Sequence, residues 1–364
     1  MRTTTTILAA VLMLAATVQA DVFNLGGVRD PATGAWTGVA SLETVTVGDA
    51  GNAGDRHGYG AVAYTYNIGT YEVTAGQYTE FLNAVAKADA YGLYNTSMGT
   101  QGGAWWGCNI KRTGASGTYA YSVASDWANR PVNLVSWGDA ARFANWLSNG
   151  QPTTGVQNAS TTETGVYPLN GATSNADLLA VSVPDAATRA TWAGGTTSKW
   201  LLASKNEWYK AAYYKGGGTN AGYWDYPTSS NTAPGRDMTD LSGNNANYYG
   251  ESGLPLIGGS YPIDSDKYTT VVGEFQNSDS PYGTFDQGGN VLEWDDKFIG
   301  DSSRELCGGS FSRWYGNSLY AHISYATNPI DEEDRIGFRV VQVPEPASLS
   351  LLALGGLAVL RRRR

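Results

Sequence analysis

Histidine and cysteine are scarce in this chain of 364 residues, with two of each, and charged residues make up only 16%. His57 and His322 fall in no HxxxH or HxH spacing, which argues against a histidine-built iron site and leaves both as surface or packing residues. Cys108 and Cys307 allow at most one disulfide in an oxidising compartment, and spacing alone does not decide whether they pair. Basic residues are outnumbered, with a formal net charge of −9. Discounting Arg2 and Arg361 to Arg364 leaves the middle more acidic still. Such a surface repels phosphate backbones, so no nucleic-acid partner is expected. Between the two ends no apolar run is long enough to span a membrane, which takes about 20 residues.

What is abundant is Gly, Ser, Thr, Asn and Tyr, the composition of a loop-rich secreted fold and not of a helical bundle. The middle is long enough for a substantial core, as one large domain or two smaller ones. Residues 1–20 read as a signal peptide: Arg2, an apolar run from Ile7 to Val18, then Val18-Gln19-Ala20 with small residues at the cleavage positions. A retained anchor is the alternative. At the other end, Pro344, Glu345 and Pro346 precede an apolar stretch from Ala347 to Leu360 and the four terminal arginines. The prolines keep the linker extended, and the arginines hold the end of a short apolar plug at the cytoplasmic side.

Three helices are announced by capping boxes. Thr74 with Gln77 precedes Tyr78, Phe81, Leu82 and Val85. Ser136 with Asp139 precedes Ala140, Phe143, Ala144 and Leu147, with Gly150 as the stop. Ser204 with Glu207 leads Trp208, Ala211 and Ala212 toward Gly216. Ala61 to Tyr66 and Gly337 to Val341 read as strands. Residues 151–199, rich in Thr, Ser, Asn and Gly, read as a long insertion or irregular loop. Serines are plentiful, but no G-x-S-x-G context selects a nucleophile. Asp295 with Asp296, and Asp331 to Asp334, read as solvated loop charges. Trp105, Trp106, Tyr119, Tyr121, Tyr213, Tyr214, Tyr223, Trp224, Tyr226, Tyr248 and Tyr249 sit among Gly, Asn and Ser. That mix suits either a recognition surface or the core of a loop-rich fold.

The tail, 343–364, resembles the PEP-CTERM sorting signal of Gram-negative bacteria, which implies processing by an exosortase; a plain C-terminal anchor is the alternative. Within 21–342 a series of blocks runs in order: IGTYEVTAGQYTEFLNAV (68–85), RPVNLVSWGDAARFANWLSNG (130–150), WLLASKNEWYKAAYYKGG (200–217), SPYGTFDQGGNVLEWDD (280–296), LCGGSFSRW (306–314) and RIGFRVV (335–341). These resemble the formylglycine-generating enzyme, or sulfatase-modifying factor, family. The resemblance implies a loop-rich α+β fold related to C-type lectins, with few short helices packed on short antiparallel strands.

Counted from Ser310, the family's two copper-binding cysteines correspond to Arg313 and Ser318, neither a thiolate ligand, so copper-dependent formylglycine formation is not expected. With Trp314 they would line a remnant pocket. Haem and nucleotide are not expected either. The resemblance further implies structural calcium held by Asp286, Glu293 and two backbone carbonyls, on Asp286, Gly289, Val291 and Glu293, and a second site on Asn247 and the Tyr248 carbonyl with Asp264 and the Asp266 carbonyl. The expectation is an exported, envelope-sorted, non-catalytic module at the cell surface or extracellular matrix. Its ligand would be a glycan or a surface protein, and its membrane contact transient or tail-mediated. The alternative is an enzyme of altered chemistry in the same pocket.

Overall fold

The computed structural model describes residues 41–99, 106–193, 198–249, 264, 267–312 and 319–343, with the strand backbone of 22–23, 28–29 and 36–37. Along the chain come β1 (Val22–Phe23), β2 (Val28–Arg29), β3 (Trp36–Thr37), β4 (Leu42–Val47) and β5 (Tyr66–Gly69). Helix α1 (Ala75–Val85), β6 (Ile110–Thr113), β7 (Ala120–Val123) and α2 (Trp137–Ser148) follow. Next are α3 (Asn175–Ala180), α4 (Ala186–Trp192), β8 (Lys199–Leu202) and α5 (Lys205–Tyr213). The last third holds β9 (Leu292–Ile299), β10 (Ser303–Cys307), β11 (Tyr325–Thr327), β12 (Ile336–Phe338) and β13 (Val340–Val343).

Two sheets organise the molecule. The larger has the order β1-β4-β5-β13-β8, every neighbour antiparallel. The smaller runs β11-β10-β9-β12, with only the β9–β12 pair parallel. The expected strand at Gly337–Val341 is thus two strands in two sheets, broken at Arg339. Its guanidinium turns inward to the carbonyls of Gly69 and Phe285, both at 2.7 Å. The expected strand at Ala61–Tyr66 is corrected too, because only Tyr66 belongs to β5. Val62, Tyr64 and Tyr66 are all buried, so the alternation reports which side chains face inward. It does not report ladder pairing.

All three capping boxes form as the sequence predicts, at Thr74–Gln77, Ser136–Asp139 and Ser204–Glu207. Helix α2 ends at Ser148, and Gly150 takes a φ of +81° just beyond it. The apolar faces meet in one aromatic cluster. Phe143 lies edge-on to Phe81 at 5.3 Å and to Phe338 of β12 at 5.3 Å, with Trp146 closing the group. Helix α2 packs on β8, α1 on β7 and α5 on β9.

Residues 151–199 are not a peripheral loop. They contain α3 and α4, helices of six and seven residues capped by Ser174 and Asp185 and too short to show a helical period. Thr161, Thr162, Glu163, Tyr167 and Arg189 are buried. Glu163 receives Arg142 of α2 at 2.7 and 3.0 Å. Arg189 pairs with Glu207 of α5 at 2.6 Å and with Asp296 of β9. Asp295 and Asp296 are therefore interior groups, which corrects their reading as solvated charges. Among the described residues no helix is long and apolar enough to cross a membrane.

Candidate functional site

The two cysteines do not meet. Both are free and buried. Cys108 turns to the Asn133 carbonyl at 3.8 Å, while Cys307 sits between the Lys205 ammonium at 3.5 Å and the Asp295 carboxyl at 3.1 Å. Burial pushes the Cys307 thiol well up. Burial, with the Glu305 charge nearby, raises Asp295 to about 8.

In the first calcium set both carboxylates already have protein partners. Glu293 is filled by N–H donors, Trp208 Nε1 at 2.8 Å and Arg339 Nε and Nη2 at 3.0 and 2.9 Å. Asp286, with φ at +60°, accepts the Gly273 amide at 2.6 Å, and burial raises it to about 6. Gly289 has φ +132°, and a Cβ there would lie 2.6 Å from the Asn247 carbonyl oxygen, so the turn is built for close backbone packing. Glu72 lies near this group, buried, with neither oxygen hydrogen-bonded. Burial, then the charges of Asp286 and Glu293, push it well above the usual carboxylate range.

In the second set the side chains also have protein partners. Asp264 pairs with Arg130, Asn247 donates to the Tyr268 carbonyl at 2.8 Å, and the Tyr248 hydroxyl donates to Pro234 at 2.7 Å. Trp105, Asp266, Arg313, Trp314, Ser318, Pro344, Glu345 and Pro346 lie outside the described residues. Among the described residues no group of three or more His, Cys, Asp or Glu is arranged to hold a metal ion.

A cleft of about 340 Å³ does bring dispersed residues together. One wall is the loop 53–57. The second is Tyr209 and Tyr214 of α5 and its C-cap, continuing through Tyr223, Trp224 and Asp225. The third is Tyr320 to His322. His57 and His322 stack there with ring centroids 4.9 Å apart and planes at 28°. Both are surface residues, as the sequence suggested, and the fold closes the distance that the sequence leaves open. Arg56 donates from Nε to His57 Nε2 at 3.0 Å and from Nη2 to the Tyr320 hydroxyl at 3.1 Å. The His57 nitrogen facing Arg56 is thus the unprotonated one.

The cleft walls are fixed from behind. Asp55 accepts the amides of His57 and Tyr59 on one oxygen, at 2.8 and 2.9 Å, and the Tyr209 hydroxyl on the other at 2.7 Å. The Tyr223 hydroxyl donates to the Ala53 carbonyl at 2.8 Å and accepts from Asn52 at 2.9 Å. Gly60, at φ +85°, leaves room for that ring, since a Cβ would stand 2.6 Å from the Tyr223 oxygen. Helix α5 is held by Glu207, which receives Arg189 and the Tyr64 hydroxyl at 2.6 and 2.8 Å. Asp225 anchors the third wall by accepting the Ala321 amide on its carbonyl at 2.9 Å.

Of the aromatic residues singled out from the sequence, Tyr214, Tyr223 and Trp224 line the cleft, and Tyr121, Tyr213 and Tyr248 are core. Trp106 is 40% exposed elsewhere, stacked on Tyr268. Tyr209 and Tyr320 were missed. Tyr209 sits at helical spacing between core residues, and nothing local marks Tyr320.

The sequence model of the sulfatase-modifying factor enzyme 1-like domain matches residues 47–344. That of the PEP-CTERM protein-sorting motif matches 342–364. The motif implies export, envelope association in a Gram-negative bacterium and processing by an exosortase. Among solved structures, Treponema denticola variable protein 1 is 18% identical with a TM-score of 0.49, covering 89% of this chain and 99% of its own. CarF is 21% identical, with a TM-score of 0.43 and coverage of 82% and 97%. PvdO from Pseudomonas aeruginosa is 18% identical, with a TM-score of 0.42 and coverage of 83% and 94%. No curated protein matches the chain.

Proposed function

The chain belongs to the sulfatase-modifying factor enzyme 1-like family and ends in a PEP-CTERM sorting motif, and from that premise we propose that it is a non-catalytic, glycan-binding module displayed at the cell surface. The observation that carries this reading is the aromatic cleft. Its volume falls within the range of small-molecule sites, about 300–1,000 Å³. Its walls alternate rigid rings (Tyr223, Trp224, Tyr320) with small polar residues such as Asn220 and Thr219. Rings of this kind stack on the apolar faces of sugars, while side-chain and backbone polar groups meet the hydroxyls. Register with the family supports the absence of its copper chemistry, since Arg313 and Ser318 stand where the resemblance places the thiols.

Binding of the purified protein to the producing bacterium's own surface polysaccharide tests this. Saturable binding that Trp224→Ala weakens tenfold or more, and that Trp106→Ala leaves unchanged, is the expected result. Equal loss in both variants, or no saturable binding, contradicts it.

A further inference from the structure

We infer that the cleft recognises a neutral sugar through two adjacent hydroxyls, one donating to the Asp225 carboxylate and its neighbour accepting from the Arg56 guanidinium. This deepens the glycan reading and rests on it. Among the described residues the lining holds three charged groups, Asp55, Arg56 and Asp225. Asp55 is spent on the walls, its two oxygens taking the His57 and Tyr59 amides and the Tyr209 hydroxyl. Asp225 and Arg56 are left facing each other as an ion pair at 3.9 Å, with 35% and 66% of their side chains exposed. His57 adds no charge, since the ring nitrogen that accepts from Arg56 is unprotonated. An anionic group on the ligand would be repelled by Asp225 as it is drawn to Arg56, and a cationic group would meet the reverse conflict. A neutral ligand meets neither.

The pair is also short of hydrogen bonds. At 3.9 Å the two groups attract each other but do not bond directly. Among the described residues neither Asp225 side-chain oxygen accepts a hydrogen bond, and the two Nη1 hydrogens and the second Nη2 hydrogen of Arg56 have no acceptor. An acceptor thus stands beside a donor. A hydroxyl is both, so two neighbouring hydroxyls of a pyranose satisfy the pair together, each in a charge-assisted bond. Arg56 is pre-aimed for this, held at Nε by His57 and at Nη2 by the Tyr320 hydroxyl. The Asp225 backbone is fixed on both sides, its amide donating to Asn231 Oδ1 at 3.1 Å and its carbonyl accepting from Ala321 at 2.9 Å. Trp224, next in the chain, lines the same cleft, and Lys215 lies 4.4 Å over one face of its ring. The other face is the one left for the C–H surface of the sugar.

The test is titration calorimetry of the purified protein with the producing bacterium's surface polysaccharide in three forms: untreated, reduced at every carboxyl, and opened at its vicinal diols with periodate. The untreated and carboxyl-reduced forms should bind equally, within about twofold, because no charge on the ligand is read. Periodate opening should weaken binding by about tenfold or more, the loss of the charge-assisted hydrogen bonds. Arg56→Gln and Asp225→Ala should each weaken binding of the untreated form by about tenfold, with unchanged melting temperatures to show the fold intact. A tenfold loss on carboxyl reduction, no loss on periodate opening, or wild-type affinity in both variants overturns the inference and leaves the glycan reading standing. If the untreated polysaccharide does not bind at all, both fall together.

Discussion

The imidazoles of His57 and His322 stack at 4.9 Å although one precedes β5 and the other follows β10, so the cleft is a product of the fold and not of any local motif. Both side chains are exposed, and neither helps to fill the core. His57→Ala and His322→Ala should therefore leave stability within about ±0.5 kcal/mol. Each should weaken polysaccharide binding by about 0.5–1.5 kcal/mol, the worth of one well-placed ring. Parallel melting and binding measurements check this, and undiminished affinity in both variants would remove the pair from the site.

Arg189 bridges α4 to α5 and β9 through Glu207 and Asp296, in full burial. Arg189→Met leaves two interior carboxylates without their cation. The expected cost is about 3–5 kcal/mol in urea unfolding. A loss below about 0.5 kcal/mol, as for a surface position, would mean that residues 151–199 are peripheral after all.

Asp295 gives stability a pH dependence of definite sign. Burial raises its folded value to about 8, against about 3.9 for an unfolded aspartate. The folded state therefore holds the extra proton, and this contribution is full below about pH 4 and is lost as pH rises toward 8. Asp295→Asn should flatten the fall in melting temperature across that window. An unchanged slope would show that Asp295 is ionised in the folded protein.

Calcium should leave the melting temperature unchanged, and so should a chelator. Glu293 already meets Arg339 and Trp208, and Asp264 meets Arg130, so the principal carboxylate of each set is already paired with a protein cation. A specific ion at a hundred times its Kd would add about 2.7 kcal/mol. A calcium-dependent rise of that order would require Glu293 or Glu72 to rearrange around the ion.

Legibility in the sequence followed range. Thr74, Ser136 and Ser204 announce their helices because each cap reaches a partner three residues on, Gln77, Asp139 and Glu207. The α+β class follows from composition and the ordered blocks. Residues 151–199 misled because Glu163 and Arg189 look like surface residues when their partners, Arg142, Glu207 and Asp296, lie outside the segment. Glu293 looked like a cation ligand for the same reason, since its partner Arg339 arrives only when β12 ends. The cleft was hidden because its three walls come from three separate stretches, and only Tyr214, Tyr223 and Trp224 sat in a composition that drew notice.

The most direct test of the central claim is hydrogen–deuterium exchange of the purified protein with and without the producing bacterium's surface polysaccharide. The account predicts that slowed exchange is concentrated in residues 53–60, 214–225 and 319–322, the three walls of the cleft. Slowed exchange around Trp106 and Tyr268 instead, with the cleft walls unaltered, would contradict it.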